Sequence, residues 1–445
     1  MAGEWETFLV AEAPLEIIDG DRGVNYPKQE DFAPSGACLF LNTGNVTTTG
    51  FNFSDRSFIT KEKDAALRKG KLKRHDIILT TRGTVGNVAI FDDSVPFEEL
   101  RINSGMVLLR ADQSKLLPRF LFQFVRSQLF KEQVAALTTG SAQPQLPIRD
   151  IRRVEVPLPP LSEQRAIAGV LGALDDKIEL NRRMNATLES MARALFQSWF
   201  VDFDPVRAKL DGRQPAGLDP ETAALFPDSF EDSESGHIPK GWRVGRVAEV
   251  SDFSRKPINP IEFPGETFDH YSLPAYDEGR TPKSELGSAI MSNKLIVTPN
   301  SVLLSKLNPH IPRIWLPDLH EKRRSVCSTE FIVASTRLGF SCEFLFSLFT
   351  SAAFATTYGT LVTGTTGSHQ RIRPESVLEM KTIIPPSELV EAYSNITGPM
   401  FERVKRNVTQ SRTLATLRDA LLPKLLSGEL SVAGAEKVSP ENSWT

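Results

Sequence analysis

The sequence predicts an α+β protein: two mixed α/β globular halves separated by two long antiparallel helices with coiled-coil character, related by pseudo-twofold symmetry. Three observations predict it. The chain repeats itself at a nearly constant offset, each copy holds short β-branched runs bounded by Gly, Asn or Asp, and each copy ends in a heptad-spaced apolar run after a Pro-Pro stop. A length of 445 residues suits two or three domains that each bury a core.

Asp76 to Arg82 lines up with Asn300 to Lys306, an offset of 224 positions (76 to 300). The same offset places Ile90-Phe91 on Ile314-Trp315, Ser104 on Ser328, Phe120-Leu121-Phe122 on Phe344-Leu345-Phe346, and Ile148-Arg149 on Ile372-Arg373. From Pro159-Pro160 on Pro385-Pro386 onward the offset is 226 (159 to 385). At the front, Trp5 and Val10-Ala11-Glu12 resemble Trp242 and Val247-Ala248-Glu249. One unit, globular part first and helix second, is used twice. The expected boundaries are a first globular domain at 1–160, a helix at 161–200, a linker at 201–240, a second domain at 241–386, a second helix at 387–430 and a tail at 431–445.

Within the first copy, Ile77 to Thr81, Val88 to Phe91, Met106 to Arg110 and Val154 to Val156 read as strands. Pro118 to Leu137 reads as one helix, because Leu121, Phe124, Val125, Leu129 and Val134 follow helical spacing and Pro118 suits a first turn. The first long helix should run from Ser162 to Phe200, roughly 58 Å at about 1.5 Å per residue. Against a rise of about 3.4 Å per base pair, that length spans on the order of 17 base pairs of duplex.

On this helix Ile167, Leu171, Leu174, Ile178, Asn181, Asn185, Leu188, Ala192, Leu195 and Trp199 form a seam. Met400, Val404, Asn407, Ser411, Leu414, Leu421 and Leu425 form its counterpart, with Arg418 as an exception. The helix-pairing residues expected from this pattern are Ile167, Leu171, Leu174, Ile178, Asn181, Leu188, Leu195, Met400, Val404, Asn407, Leu414 and Leu421. Asn181 and Asn407 are either buried polar residues that fix register or residues that face solvent where the seam frays. Gly398-Pro399 should interrupt the second helix, leaving Ser387 to Thr397 as a separate short helix, and Pro423 should kink its end. The linker is acidic and Pro-rich, which suits a connector ordered in patches rather than core.

Composition narrows the function classes. Net charge is −3, which argues against a protein that coats nucleic acid non-specifically. Charge is unevenly spread: Lys61, Lys63, Arg68, Lys69, Lys71, Lys73, Arg74 and Arg82 face only Glu62, Asp64 and Asp76. Such runs are ordinarily solvated faces, so charge alone does not assign DNA binding. Three cysteines, Cys38, Cys327 and Cys342, offer neither a disulfide framework nor zinc spacing. No apolar run reaches membrane-spanning length and the start lacks a signal-peptide pattern, so the expectation is a cytoplasmic protein with no membrane partner. No phosphate-binding loop, H-E-x-x-H zinc motif or serine elbow occurs, so no catalytic residue and no metal ligand is assigned.

The order Thr80-Thr81-Arg82-Gly83-Thr84-Val85-Gly86, Thr139-Gly140-Ser141-Ala142-Gln143-Pro144-Gln145-Leu146, then Val156-Pro157-Leu158-Pro159-Pro160-Leu161-Ser162-Glu163-Gln164 and a heptad helix resembles the specificity subunits of type I restriction-modification systems. Leu304 to Arg313 is similar to a second class of target-recognition domain of that family, and Leu421 to Leu430 resembles the family's usual ending. The resemblance covers nearly the whole chain. It implies a non-catalytic subunit whose two target-recognition domains read the halves of a bipartite site in double-stranded DNA. It also implies two DNA methyltransferase subunits and restriction/translocase subunits as partners. S-adenosylmethionine, ATP and magnesium would serve those partners and not this chain. A recognition subunit serving a fused methyltransferase-nuclease partner, or a scaffold that holds proteins between coiled-coil ends, stays open as an alternative.

Base edges are read by Arg, Lys, Asn and Gln on supported loops, while Ser, Thr and backbone amides hold phosphates. The DNA-binding candidates are Thr81, Arg82, Thr84, Asn87, Gln143, Gln145 and Arg149 in the first domain. In the second they are Ser305, Lys306, Asn308, His310, Arg313, Ser368, His369, Gln370, Arg371 and Arg373. Any of these could instead be a turn residue or a surface charge. Gly83 and Gly86 read as tight turns that need positive φ.

Overall fold

The computed structural model describes residues 5–138, 144–319, 322–362 and 370–432. Its contacts divide the chain into two compact units, one of residues 1–179 with 411–445 and one of residues 180–410. The division falls inside the two long helices, Leu161–Phe200 and Ser387–Leu426, so each unit takes one end of both.

In the first unit a four-stranded antiparallel sheet has the order Leu15–Asp19, Met106–Ala111, Ile77–Thr80, Val88–Ile90. One face packs on Phe120, Leu121, Phe124, Phe130 and Val134, and the other on Leu39, Leu41, Phe91 and Leu100. The β-branched and apolar runs are continuous rather than alternating because the strands are covered on both faces. Thr7–Leu9 pairs with Glu155–Pro157, and Trp5 donates to the Leu425 carbonyl at 3.1 Å, which ties the chain start to the last turns of the second long helix.

The second unit repeats this plan. Ser251–Ser254, Phe331–Thr336, Ser301–Ser305 and Ile314–Trp315 form a sheet of the same order, and Arg243–Arg246 pairs with Lys381–Ile384. What differs is the attached sheet: three strands around Cys38–Leu41 in the first unit, five around Ser325–Ser328 in the second.

Several expectations change. The segment Pro118 to Leu137 is two helices, Pro118–Arg126 and Gln128–Leu137, because Ser127 leaves helical geometry and its hydroxyl accepts the Phe130 N–H as an N-cap. Leu129 is consequently exposed. The shift of offset to 226 occurs earlier than the prolines suggest: Ile148–Ile151 corresponds to Pro374–Leu378, so Leu146, not Ile148, is the counterpart of the buried Ile372. Ser387–Leu426 is a single helix through Gly398-Pro399. A proline inside a helix costs about 3 kcal/mol, and burial of Tyr393, Thr397 and Phe401 around it offsets that loss. The region 201–240 contains the helices Asp204–Leu210 and Pro220–Ala224 and a hairpin, Phe230–Ser233 with Gly236–Pro239. Four of its apolar residues, Phe203, Val206, Phe226 and Ile238, are core, packed with Trp199 and Trp242, while Leu210 and Leu225 are exposed. Of its acids, Asp219 is an N-cap and Glu234 pairs with Lys381 at 2.7 Å.

Helix pairing holds within each unit. In the first, Ile167 and Leu171 share a buried cluster with Leu422, Leu425 and Leu426, and Leu421 packs against it. Arg418, the exception on the seam, pairs with Asp175 at 2.8 Å. In the second, Asn181 donates to Gln410 at 3.0 Å, Asn407 donates to Asn185 at 2.8 Å and Tyr393 donates to the Ala192 carbonyl at 3.0 Å. The partner numbers fall as the first helix advances, so the segments run antiparallel. Asn181 and Asn407 are fully buried, which removes the frayed-seam reading. Leu195 and Met400 pack against the core there, while Leu174, Ile178, Leu188, Val404 and Leu414 are half-buried.

Candidate nucleic-acid interface

In each unit the turn after the third strand of the four-stranded sheet is stitched to the segment that precedes a short helix. In the first unit Arg82 bridges Gln145, and Leu146 donates its N–H to the Thr81 carbonyl at 2.9 Å. In the second Leu307 bridges Arg371, Ile372 donates to the Lys306 carbonyl at 3.1 Å, and Asn308 donates to the Gln370 carbonyl at 3.1 Å. Two stretches separated by some sixty residues thus become neighbours in both copies.

The first turn is closed tightly. Gly86 donates to the Thr80 carbonyl at 3.0 Å, and Asn87 donates its N–H to the Thr80 hydroxyl at 3.0 Å. Gly83 and Gly86 have φ of 72° and 94°, as a turn this tight requires. Arg82, Thr84 and Gln145 stand exposed. Arg82 has neither an ion pair nor a side-chain hydrogen bond among the described residues. Arg149 is exposed and, among the described residues, its side chain bonds its neighbour Asp150, at 3.3 Å.

In the second turn Lys306 is half-buried, and burial pulls its ammonium below the usual lysine range against the opposing pull of Glu330. Arg371 pairs with that same Glu330 at 2.8 Å. His310 and Arg373 are exposed, and Gln370 is half-buried.

Five candidates have local structural roles within the protein. Thr81 is buried and donates to the Gly105 carbonyl at 3.0 Å, and Ser305 is buried and donates to the Leu307 carbonyl at 3.0 Å, so neither hydroxyl reaches the surface. The Asn87 amide donates to the Val46 carbonyl at 3.0 Å. The Asn308 backbone is left-handed, with φ of 50°, which makes it a turn former. Arg313 is taken by both oxygens of Asp277 at 2.7 and 2.8 Å. Gln143, Ser368 and His369 lie outside the described residues.

The basic run before the first turn is partly neutralised. Lys63 pairs with Asp31, Lys71 with Asp64 and Glu99, and Arg74 with Glu98. Lys61, Arg68, Lys69 and Lys73 have no ion pair among the described residues. Sequence reasoning missed Gln164, which is fully buried at the start of the first long helix. It accepts from Leu117 at 2.8 Å and donates to the Lys115 and Pro159 carbonyls at 3.0 and 2.9 Å, fixing the helix to its globular part. Its only signal is its place directly after the Pro-rich stop.

Among the described residues no helix is long and apolar enough to cross a membrane. Residues 15–190 match the family described as type I restriction modification DNA specificity domain. The chain is 25% identical to the type I restriction enzyme HindI specificity subunit of Haemophilus influenzae over 92% of its own length and 98% of that protein's. It is 27% identical to the MjaIX specificity subunit of Methanocaldococcus jannaschii over 80% of its length and 78% of that protein's. The crystal structure of a type I restriction-modification system S subunit from M. genitalium shares the fold, with a TM-score of 0.52 at 15% identity, covering 95% of this chain and 96% of that one. With the family match over residues 15–190 and specificity subunits aligned along most of its length, the chain is similar to type I restriction-modification specificity subunits.

Proposed function

We propose that this chain is the DNA-reading subunit of a type I restriction-modification complex. In this reading the two target-recognition domains, at 1–160 and 241–386, each take one half of a bipartite site in double-stranded DNA. The antiparallel helices act as a coiled-coil spacer that sets the gap between the halves. The observation that carries the reading is the turn built twice, at the same place on the corresponding sheet of each unit, with Arg82, unpaired among the described residues, at one and Lys306 at the other. Unlike attached sheets suit unlike half-sites. The chain itself performs no chemistry here. Two methyltransferase subunits with S-adenosylmethionine, and restriction subunits with ATP and magnesium, supply it in the cytoplasm.

Arg82→Ala and Lys306→Ala test the assignment of the turns. Each should weaken binding of the assembled complex to its site by about 1–3 kcal/mol, as loss of a base-reading side chain does. A cation that meets phosphate instead should lower the salt dependence of binding by about one counterion for the same substitution. Titration of labelled duplex at several salt concentrations reads both quantities. Unchanged affinity and unchanged salt slope in both variants would remove the turns from the interface.

A further inference from the structure

We infer that Ile311 reads a thymine of the second half-site through the C5-methyl group of that base. The inference rests on the DNA-binding reading above and adds the feature that is recognised. Ile311 lies in the turn between Ser301–Ser305 and Ile314–Trp315 and is 58% exposed, flanked by exposed His310 and Pro312. It joins none of the apolar clusters formed by the described residues of its unit. The corresponding turn of the first unit treats its branched residue the opposite way, since Val85 packs against that unit's core.

A lone exposed isoleucine is ordinary on a protein surface. What separates Ile311 is that the backbone carrying it is held on every side. Its N–H donates to the Asn308 carbonyl at 2.8 Å, and Asn308 is pinned in turn by its bond to Gln370 at 3.1 Å. Pro309 is buried before it and Pro312 restricts φ after it. Beyond that proline, Arg313 is clamped by Asp277, and its carbonyl accepts the Ser305 N–H at 3.0 Å. Asp277 ends the helix Leu273–Asp277, whose Tyr276 packs on Trp315 at 5.6 Å between ring centres. Arg280, stacked over Tyr276, is bound by Glu189 of the first long helix at 3.0 Å. The turn is thereby braced against the long helix within its own unit.

Such bracing presents a branched alkyl group outward at little further cost in order. Of the features that base edges offer in the major groove, the apolar one is the thymine methyl. A rigid isoleucine fits that feature and offers no hydrogen bond to any other.

The test uses the assembled complex and its mapped site. Each thymine of the second half-site, on either strand, is replaced in turn by deoxyuridine, which lacks only the methyl. At one position the native complex should lose about fourfold in affinity, which corresponds to about 0.8 kcal/mol for one buried methyl group at about 1.4 kcal/mol per tenfold. Ile311→Ala should bind thymine and deoxyuridine at that position equally, and Asp277→Asn should shrink the difference. Deoxyuridine tolerated at every position, a loss that persists in Ile311→Ala, or a second half-site without A·T pairs would overturn the inference while leaving DNA recognition intact. A native complex with no sequence-specific binding would overturn the DNA reading itself, and this inference with it.

Discussion

Trp199→Ala should lower the unfolding free energy of the second unit by about 3–5 kcal/mol, the range for deleting a large buried aromatic. Trp199 is 1% exposed. Its ring meets Phe226 at 5.1 Å and Phe200 at 6.0 Å, edge to face, and Tyr393 at 6.1 Å. Those neighbours come from the region 201–240, the first long helix and the second long helix. Removing the indole therefore opens a cavity where three segments meet and cannot collapse into it without moving all three. The measurement is the midpoint of urea unfolding followed at unchanged denaturant dependence. Trp199→Phe should recover much of the loss. A change below about 1 kcal/mol for the alanine variant would show that the 201–240 segment does not pack there.

Asp175→Ala should cost the first unit about 3 kcal/mol. Asp175 accepts from Arg126 at 2.7 Å, Gln123 at 2.7 Å and Arg418 at 2.8 Å, so one carboxylate joins the helix Pro118–Arg126 to both long helices. Breaking a buried ion pair by removing one partner costs about 3–5 kcal/mol. The low end applies because Arg418 keeps Asp419 at 2.7 Å and Arg126 keeps the face of Phe122, while about a fifth of each charged side chain still meets solvent. Burial opposes ionisation of Asp175, and the Arg126 and Arg418 guanidinium groups with the Gln123 amide outweigh it, so the carboxyl titrates below its ordinary value. A folded-state pKa below the unfolded one gives stability that is complete above the ordinary carboxylate range and lost as pH falls through the folded value. The difference between native and variant proteins should therefore be constant near neutrality and shrink in acid. A difference that grows on acidification would contradict the network.

The repeat, the sheet strands and both long helices are legible in the sequence because each leaves a periodic or self-similar trace. The segments that escaped it turn on a single residue or a distant partner. Ser127 breaks a helix whose apolar spacing continues across the break, because a hydroxyl that caps the next helix competes with the regular ladder. Pro399 fails to break one because tertiary burial on both sides overrides local propensity. The region 201–240 looks like a connector by composition, yet a few well-spaced apolar residues anchor it. In the candidate site, residue type identified the turns but not the roles within them. Thr81 and Ser305 look like phosphate ligands and are buried turn donors. Arg313 looks like a base reader and is held by Asp277, a pairing across thirty-six positions that no local pattern announces.

Exchange of residues 1–160 for the corresponding domain of a relative with a different target, followed by mapping of modified bases across the host genome, tests the division of labour most directly. The account predicts that one half of the modified site changes while the other half and the gap between them stay as they were. Alteration of both halves, or of neither, would contradict two independent reading domains on a shared helical spacer.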